Sequence, residues 1–305
     1  MRTELDIDGL AQGGEGVGRS GERPVFVPFT APGDRVAADV PAGDGPAHGV
    51  LLEVLAPGAA RVAPPCRHFG PRLRAQAEPD EALPERAGGS GEPSGPPRGD
   101  ACGGCEWLHV RYEAQLAAKA RAFAETLRRI GRLEPEACGL RPILASPLPL
   151  RYRARAKFHL DRASGRLAFF RRRSHAPVPL EECHLLAPGL DALREAVGPA
   201  LAAARLAPAE VALEWSEEEG RGSALLLVEP TPAARQRAEA LLAAVPALAG
   251  VVLRGEQGPA AIVGAPVLRL AREPGRPAAG AQRSRPDVFQ QANRGANALL
   301  VRTAL

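Results

Sequence analysis

Residues 101–105 read Ala101-Cys102-Gly103-Gly104-Cys105, and the reading of that stretch decides how the rest of the chain is divided. Two thiols at C-x-x-C spacing in a glycine turn can face one ion or cluster, although alone they also fit a redox dithiol or a zinc knuckle. Working outward, Pro64-Pro65-Cys66-Arg67-His68-Phe69-Gly70 is a turn with one thiol, and Glu181-Glu182-Cys183-His184 brings a fourth from far along the chain. Cys66, Cys102, Cys105 and Cys183 are therefore the expected ligands of a four-cysteine metal site, for which zinc is as good an occupant as iron and sulfide. The fifth cysteine, Cys138, sits in a Glu-Ala-Cys-Gly turn without a neighbouring base and stays outside the site.

Residues 71–100 separate the first thiol from the pair. This segment is rich in Pro, Gly, Glu and Arg and has no aromatic residue, which predicts a disordered insertion. Before it, residues 1–60 alternate short apolar runs with turns: Pro24-Val-Phe-Val-Pro-Phe29, Arg35-Val-Ala-Ala-Asp-Val40 and His48-Gly-Val-Leu-Leu-Glu-Val-Leu55. Several strands at that spacing predict an OB-like, five-stranded β-barrel. Gly13-Gly-Glu-Gly-Val-Gly18 resembles a nucleotide loop only superficially, since no helix follows it.

After the pair, Tyr112 to Leu133 predicts a helix whose apolar stripe runs through Leu116, Ala120, Phe123, Leu127 and Ile130. Residues 151–173 are the most basic window, with nine cations against one acid, Asp161. Arg151, Arg153, Arg155 and Lys157 alternate with Tyr152, Ala154, Ala156 and Phe158, so four cations are expected on one strand face about 6.6–7 Å apart. Asp161 to Gly165 is a turn, and Leu167 to Phe170 returns to Arg171, Arg172 and Arg173. A solvated edge gives the same pattern, but the imbalance favours an anionic partner, and arginine suits phosphates and unpaired bases. From Ala187 to Gly264 helices alternate with strands, predicting a mixed sheet with helices on one face.

The whole is α+β and multidomain, with net charge +4, a pI near 9.0 and only two lysines, Lys119 and Lys157; coding bias alone would give the same arginine excess. No run approaches the ~20 apolar residues of a membrane span. An odd cysteine count without an apolar leader at Met1 places the chain in a reducing cytoplasm.

C-x-H-F-G at Cys66, A-C-G-G-C at Cys102, Glu182-Cys183-His-Leu-Leu-Ala-Pro and Phe289-Gln-Gln291-Ala-Asn293 together resemble the bacterial RNA uracil-C5 methyltransferases. The Asp8-Gly9 start and the V-F-V-P-F-T-x-P-G-D strand are similar to the TRAM domain of that family, an RNA-binding barrel. The resemblance implies a TRAM domain over 1–60, a mixed α/β central domain over 61–285 carrying the iron–sulfur loop, and a linker helix beginning in 286–305. It implies a [4Fe-4S] cluster on Cys66, Cys102, Cys105 and Cys183, a ribosomal or transfer RNA partner for Arg151, Arg153, Arg155, Lys157, Arg171, Arg172 and Arg173, and Gln291 against S-adenosylmethionine. The Rossmann-like methyltransferase domain, with the thiolate that attacks C6, is expected to be absent from this chain. S-adenosylmethionine would then be used only with that domain supplied, for instance by a separate methyltransferase chain, and the isolated chain would be inactive, with an unpacked C-terminal helix. A stand-alone RNA-binding module and a structural zinc protein are the alternatives.

Overall fold

The structure is a computed structural model that describes residues 1–70, 102–256, 258–271 and 282–304. The expected insertion at 71–100 lies outside the described residues. The chain divides into two compact units, Met1–Ile143 and Leu144–Leu305, and both are mixtures of sheet and helix.

The first unit opens with β1 (Arg2–Leu10), β2 (Gly16–Ser20), β3 (Arg23–Val27), β4 (Arg35–Asp39), β5 (Ala47–His48) and β6 (Val50–Ala56), in the order β5-β3-β2-β1-β4-β6. β5 and β6 are two halves of one run of chain broken at Gly49, the first paired with β3 and the second with β4. One stretch thus carries both edges of the sheet, the connectivity of a five-stranded barrel-like fold. Leu5, Ile7, Val25, Val27, Val36, Ala38 and Leu51 alternate inward to form its core; burying each Val, Leu or Ile is worth about 1.5–3 kcal/mol. The glycine-rich run is a packed strand, for a Cβ on Gly16 would lie 1.9 Å from Thr30 Oγ1 and one on Gly18 2.6 Å from the Asp6 carbonyl.

A buried carboxylate fixes the exit from this barrel. Asp34, 0% exposed, accepts from the Ala31 amide (2.6 Å), the Gly58 amide (2.9 Å) and both Nε (3.0 Å) and Nη2 (2.6 Å) of Arg61. Arg61 also donates to the carbonyl of Phe29 (2.8 Å), which holds a bulky residue at φ +63°. Beyond this point residues 60–62 and 109–111 pair: Val62 donates to His109 (2.9 Å) and Arg111 to Ala60 (2.9 Å).

Helix α1 spans Tyr112–Thr126 and gives way to a π-helical turn at Leu127–Gly131, ended by Arg132 at φ +53°. None of its residues is buried; Phe123 is 54% and Ile130 79% exposed. The expected apolar stripe therefore enters no core among the described residues. Strong helix formers such as Ala, Gln, Glu and Arg suffice to make a helix by propensity, whichever face is covered.

The second unit is built on a seven-stranded sheet, ordered β13-β12-β11-β10-β7-β8-β9. Its strands are β7 (Arg155–Asp161), β8 (Arg166–Phe170), β9 (Pro177–Pro179), β10 (Val211–Ser216), β11 (Arg221–Leu227), β12 (Leu248–Arg254) and β13 (Ala261–Gly264). Only β11 and β12 pair in parallel, and the chain between them forms α3 (Pro232–Ala244). Helix α2 (Pro188–Ala203) packs on β8 and β10, α3 packs on β12 and β13, and the helices touch. Two further strands, β14 (Leu268–Leu270) and β15 (Gln282–Ser284), pair with each other, and α4 (Arg294–Ala304) follows. Among the described residues no helix is long and apolar enough to cross a membrane.

Candidate nucleic-acid interface and thiol loop

The alternation expected at 153–158 is present. Ala154, Ala156 and Phe158 are buried, while Arg153, Arg155 and Lys157 stand on the opposite side of the strand. Three of the cations have protein partners, however. Arg155 donates through Nη1 to the Val288 carbonyl and through Nη2 to that of Pro286 (2.5 Å). Lys157 pairs with Glu210 at 3.0 Å, and Arg151 donates to the Cys183 carbonyl (3.2 Å) and lies 3.5 Å from Asp191. Arg151 takes φ +57°, so the regular strand starts only at Arg155. Asp161 is thus not the only acid facing this charge. The window count missed Glu210 and Asp191 because they come from later elements. The Arg153 side chain is half-buried, with an Nε that has no hydrogen-bond partner, and its backbone bridges Leu186 on one side and Asn293 on the other. Arg171 and Arg172 are half-buried and Arg173, at φ +53°, is exposed at the end of β8.

Aromatic rings line the same hairpin, a feature that reading the charges alone passes over. Phe158 and Phe169 stack at 5.0 Å, and His159 and Phe170 at 3.8 Å. The alternating His159 and the returning Phe170 were the available signal.

The thiol loop forms at the mouth of the paired segments 60–62 and 109–111. The Phe69 amide donates to the Cys66 carbonyl (3.1 Å) and the Cys102 amide to that of His68 (2.8 Å), so the two halves of the loop meet. The Gly104 amide points at Cys102 Sγ (3.4 Å), as an N–H does toward a thiolate. Cys66, Cys102 and Cys105 are half-buried, Cys138 is exposed, and Cys183 is 8% exposed in the second unit. The donor set has the chemistry a metal or cluster wants, yet among the described residues no three His, Cys, Asp or Glu side chains are gathered to hold one.

Beneath the loop, Phe69 stacks on His109 (5.4 Å) and meets Phe29 edge-on (5.5 Å). His109 is 1% exposed and neither ring nitrogen is in a well-formed hydrogen bond. Burial, with the Arg61 charge nearby, lowers its pKa to about 4.

Gln291 is exposed just ahead of α4. The helix behind it is anchored rather than loose. Asn293 accepts at Oδ1 from the Ala296 amide (2.9 Å) and donates to Ser146 (2.9 Å), and Ala154 donates to the Ala292 carbonyl (3.2 Å). Arg294 reaches the Trp215 carbonyl (2.9 Å) and lies 3.6 Å from Glu214, which is 1% exposed. Ala298 is buried, whereas Leu300 and Val301 are 62% and 49% exposed, so the expected exposure holds only for the outer face of this helix.

No family model matches the chain. It is 36% identical over 201 residues to a protein of Thermosynechococcus vestitus named as an uncharacterized RNA methyltransferase, covering 65% of this chain and 38% of that protein. It is 35% identical over 197 residues to the 23S rRNA (uracil(1939)-C(5))-methyltransferase RlmD of Halomonas elongata, covering 63% and 34%. The chain thus matches little more than a third of the length of these relatives. Among solved structures it superimposes on a tRNA (uracil-54, C5)-methyltransferase of Pyrococcus abyssi crystallised with S-adenosyl-L-homocysteine, with a TM-score of 0.56 over 100% of this chain and 64% of that one. At 15% identity that likeness is one of fold: sequence and fold both make this chain similar to part of proteins named as RNA methyltransferases.

Proposed function

We propose that this chain is the RNA-binding portion of an S-adenosylmethionine-dependent RNA uracil-C5 methyltransferase. The observation that carries the reading is the 35% identity over 197 residues to a protein named for that reaction on 23S rRNA. The barrel of the first unit serves as a TRAM-type RNA module, and the β7–β8 hairpin supplies Arg153, Arg171, Arg172 and Arg173 to phosphates. Arg151, Arg155 and Lys157 hold the hairpin to Asp191, the 286–288 segment and Glu210, which sets the face the RNA meets. Gln291 meets S-adenosylmethionine where a methyltransferase domain is joined to α4 or brought by a separate chain.

Cys66, Cys102, Cys105 and Cys183 hold a [4Fe-4S] cluster in this reading, supported by the C-x-x-C turn and the Gly104 amide directed at sulfur. When bound, such a cluster cross-links residues distant in sequence and adds a fixed charge beside them. The chain's own residues bind and orient the RNA.

The test is a purification without oxygen followed by iron, sulfide and zinc analysis and RNA-binding titrations with ribosomal and transfer RNA fragments. Iron and sulfide with charge-transfer absorption, lost in Cys183→Ser, together with salt-dependent RNA binding, is the expected result. Stoichiometric zinc instead gives the structural zinc alternative with the same four thiolates, and absence of RNA affinity removes the RNA reading altogether.

A further inference from the structure

The basic hairpin has an outer aromatic group that its charge does not explain. His159 on β7 lies opposite Ala168 on β8, so Phe170 is its diagonal neighbour. Their rings stack with centroids 3.8 Å apart and planes 16° apart, and His175 meets Phe170 edge-on at 5.3 Å. The His159 Nδ1 lies 3.2 Å from the Ala209 carbonyl, which fixes the ring plane. On the inner side Phe158, 0% exposed, stacks on Phe169 and makes core. The outer pair stays half-buried and His175 is exposed, so apolar burial alone does not account for three rings here.

The surroundings narrow the partner. Lys157, ion-paired with Glu210, shares the His159 face, Arg166 opens β8, and Arg171, Arg172 and Arg173 follow Phe170 directly. A protein partner would ask for a wider apolar patch depleted of charge at its centre. Flat rings edged by arginine suit a nucleobase with its phosphates alongside. Resting on the RNA reading above, we infer that His159, Phe170 and His175 form a stacking platform for an unpaired base in a single-stranded stretch of the RNA. The geometry selects strandedness, since a base inside a duplex has no free face to offer.

The experiment uses the full chain, a single-stranded RNA oligonucleotide carrying 2-aminopurine, a blunt RNA duplex of the same length, and heparin as a plain polyanion. His159→Ser and Phe170→Leu should each weaken single-strand binding about tenfold and abolish the quenching of 2-aminopurine, while duplex and heparin binding and the salt slope stay unchanged. His159→Phe, which keeps a ring in the stack, should bind as the unmodified chain does. If Phe170→Leu loses its native circular dichroism, His159→Ser decides. Folded variants with unaltered single-strand affinity, or an equal loss toward duplex and heparin, would overturn the platform and leave the RNA reading standing. An unmodified chain without RNA affinity would overturn both.

Discussion

Among the described residues each unit buries a carboxylate beside an arginine, Asp34 in the first and Glu214 in the second, and the two are served very differently. Asp34 in the first unit receives two amide hydrogens and two hydrogens of Arg61, all at 3.0 Å or less. Glu214 in the second has the Ser284 hydroxyl at 3.1 and 3.3 Å and Arg294 only at 3.6 Å. Burial consequently raises the Glu214 pKa, although Arg294, Arg155 and Ser284 pull the other way, and lowers that of Arg294. A buried charge offsets its desolvation only when its lone pairs are filled. Asp34 is therefore a fixed junction, and Glu214 a charge kept at a cost beside the helix that follows Gln291.

The largest expected effect comes from emptying the saturated site. Asp34→Ala should cost the first unit about 3–5 kcal/mol, read as an early transition in chemical denaturation with the second unit's transition in place. A cost below about 1 kcal/mol would erase the contrast between the two carboxylates.

Acid should separate the units next. His109 has a folded pKa of about 4 against 6.5 unfolded, so the unfolded chain binds the extra proton. The first unit then loses stability as pH falls from about 6.5 to about 4, by up to about 3 kcal/mol. His109→Phe should flatten that decline, and an unchanged pH profile would show that the imidazole reaches water. Glu214 works with the opposite sign, since a raised folded pKa makes the folded state the better proton binder. The second unit should gain from this group as pH falls from neutral toward its unfolded value of 4.5. Glu214→Gln should remove that gain while shifting stability at neutral pH by about 1 kcal/mol; a wild-type-like pH difference between the units would sink the assignment.

The smallest effect on folding belongs to the hairpin end. Replacing Arg171, Arg172 and Arg173 together by Gln should cost less stability than Asp34→Ala, and should lower the log–log salt slope of RNA binding by roughly 0.7–0.9 for each phosphate no longer neutralised. Arg155→Gln should do the reverse, loosening the 286–288 segment and leaving the slope alone.

Local patterns were readable in the sequence and distant partnerships were not. The period of two through Ala154, Ala156 and Phe158 announces which side of β7 is buried, because a strand face is set by neighbours two residues apart. Helix α1 was legible from its strong formers, but whether Phe123 and Ile130 would be covered depends on what packs there. The partners of Arg155 lie more than 130 residues away, and Arg61 is 27 residues from Asp34, so no window could have paired them. β13, β14 and β15 are four, three and three residues long, too short for periodicity to register. In the thiol loop, turn chemistry around Cys66 and Cys102 set out the local geometry, whereas the contribution of Cys183 depends on distant chain.

The short ladder between residues 60–62 and 109–111 is also a built-in gauge of the first unit. The Val62 and Arg111 amides are both engaged in it, so their hydrogen exchange should slow together, and quicken together when the exit of the barrel opens, a readout that needs no label.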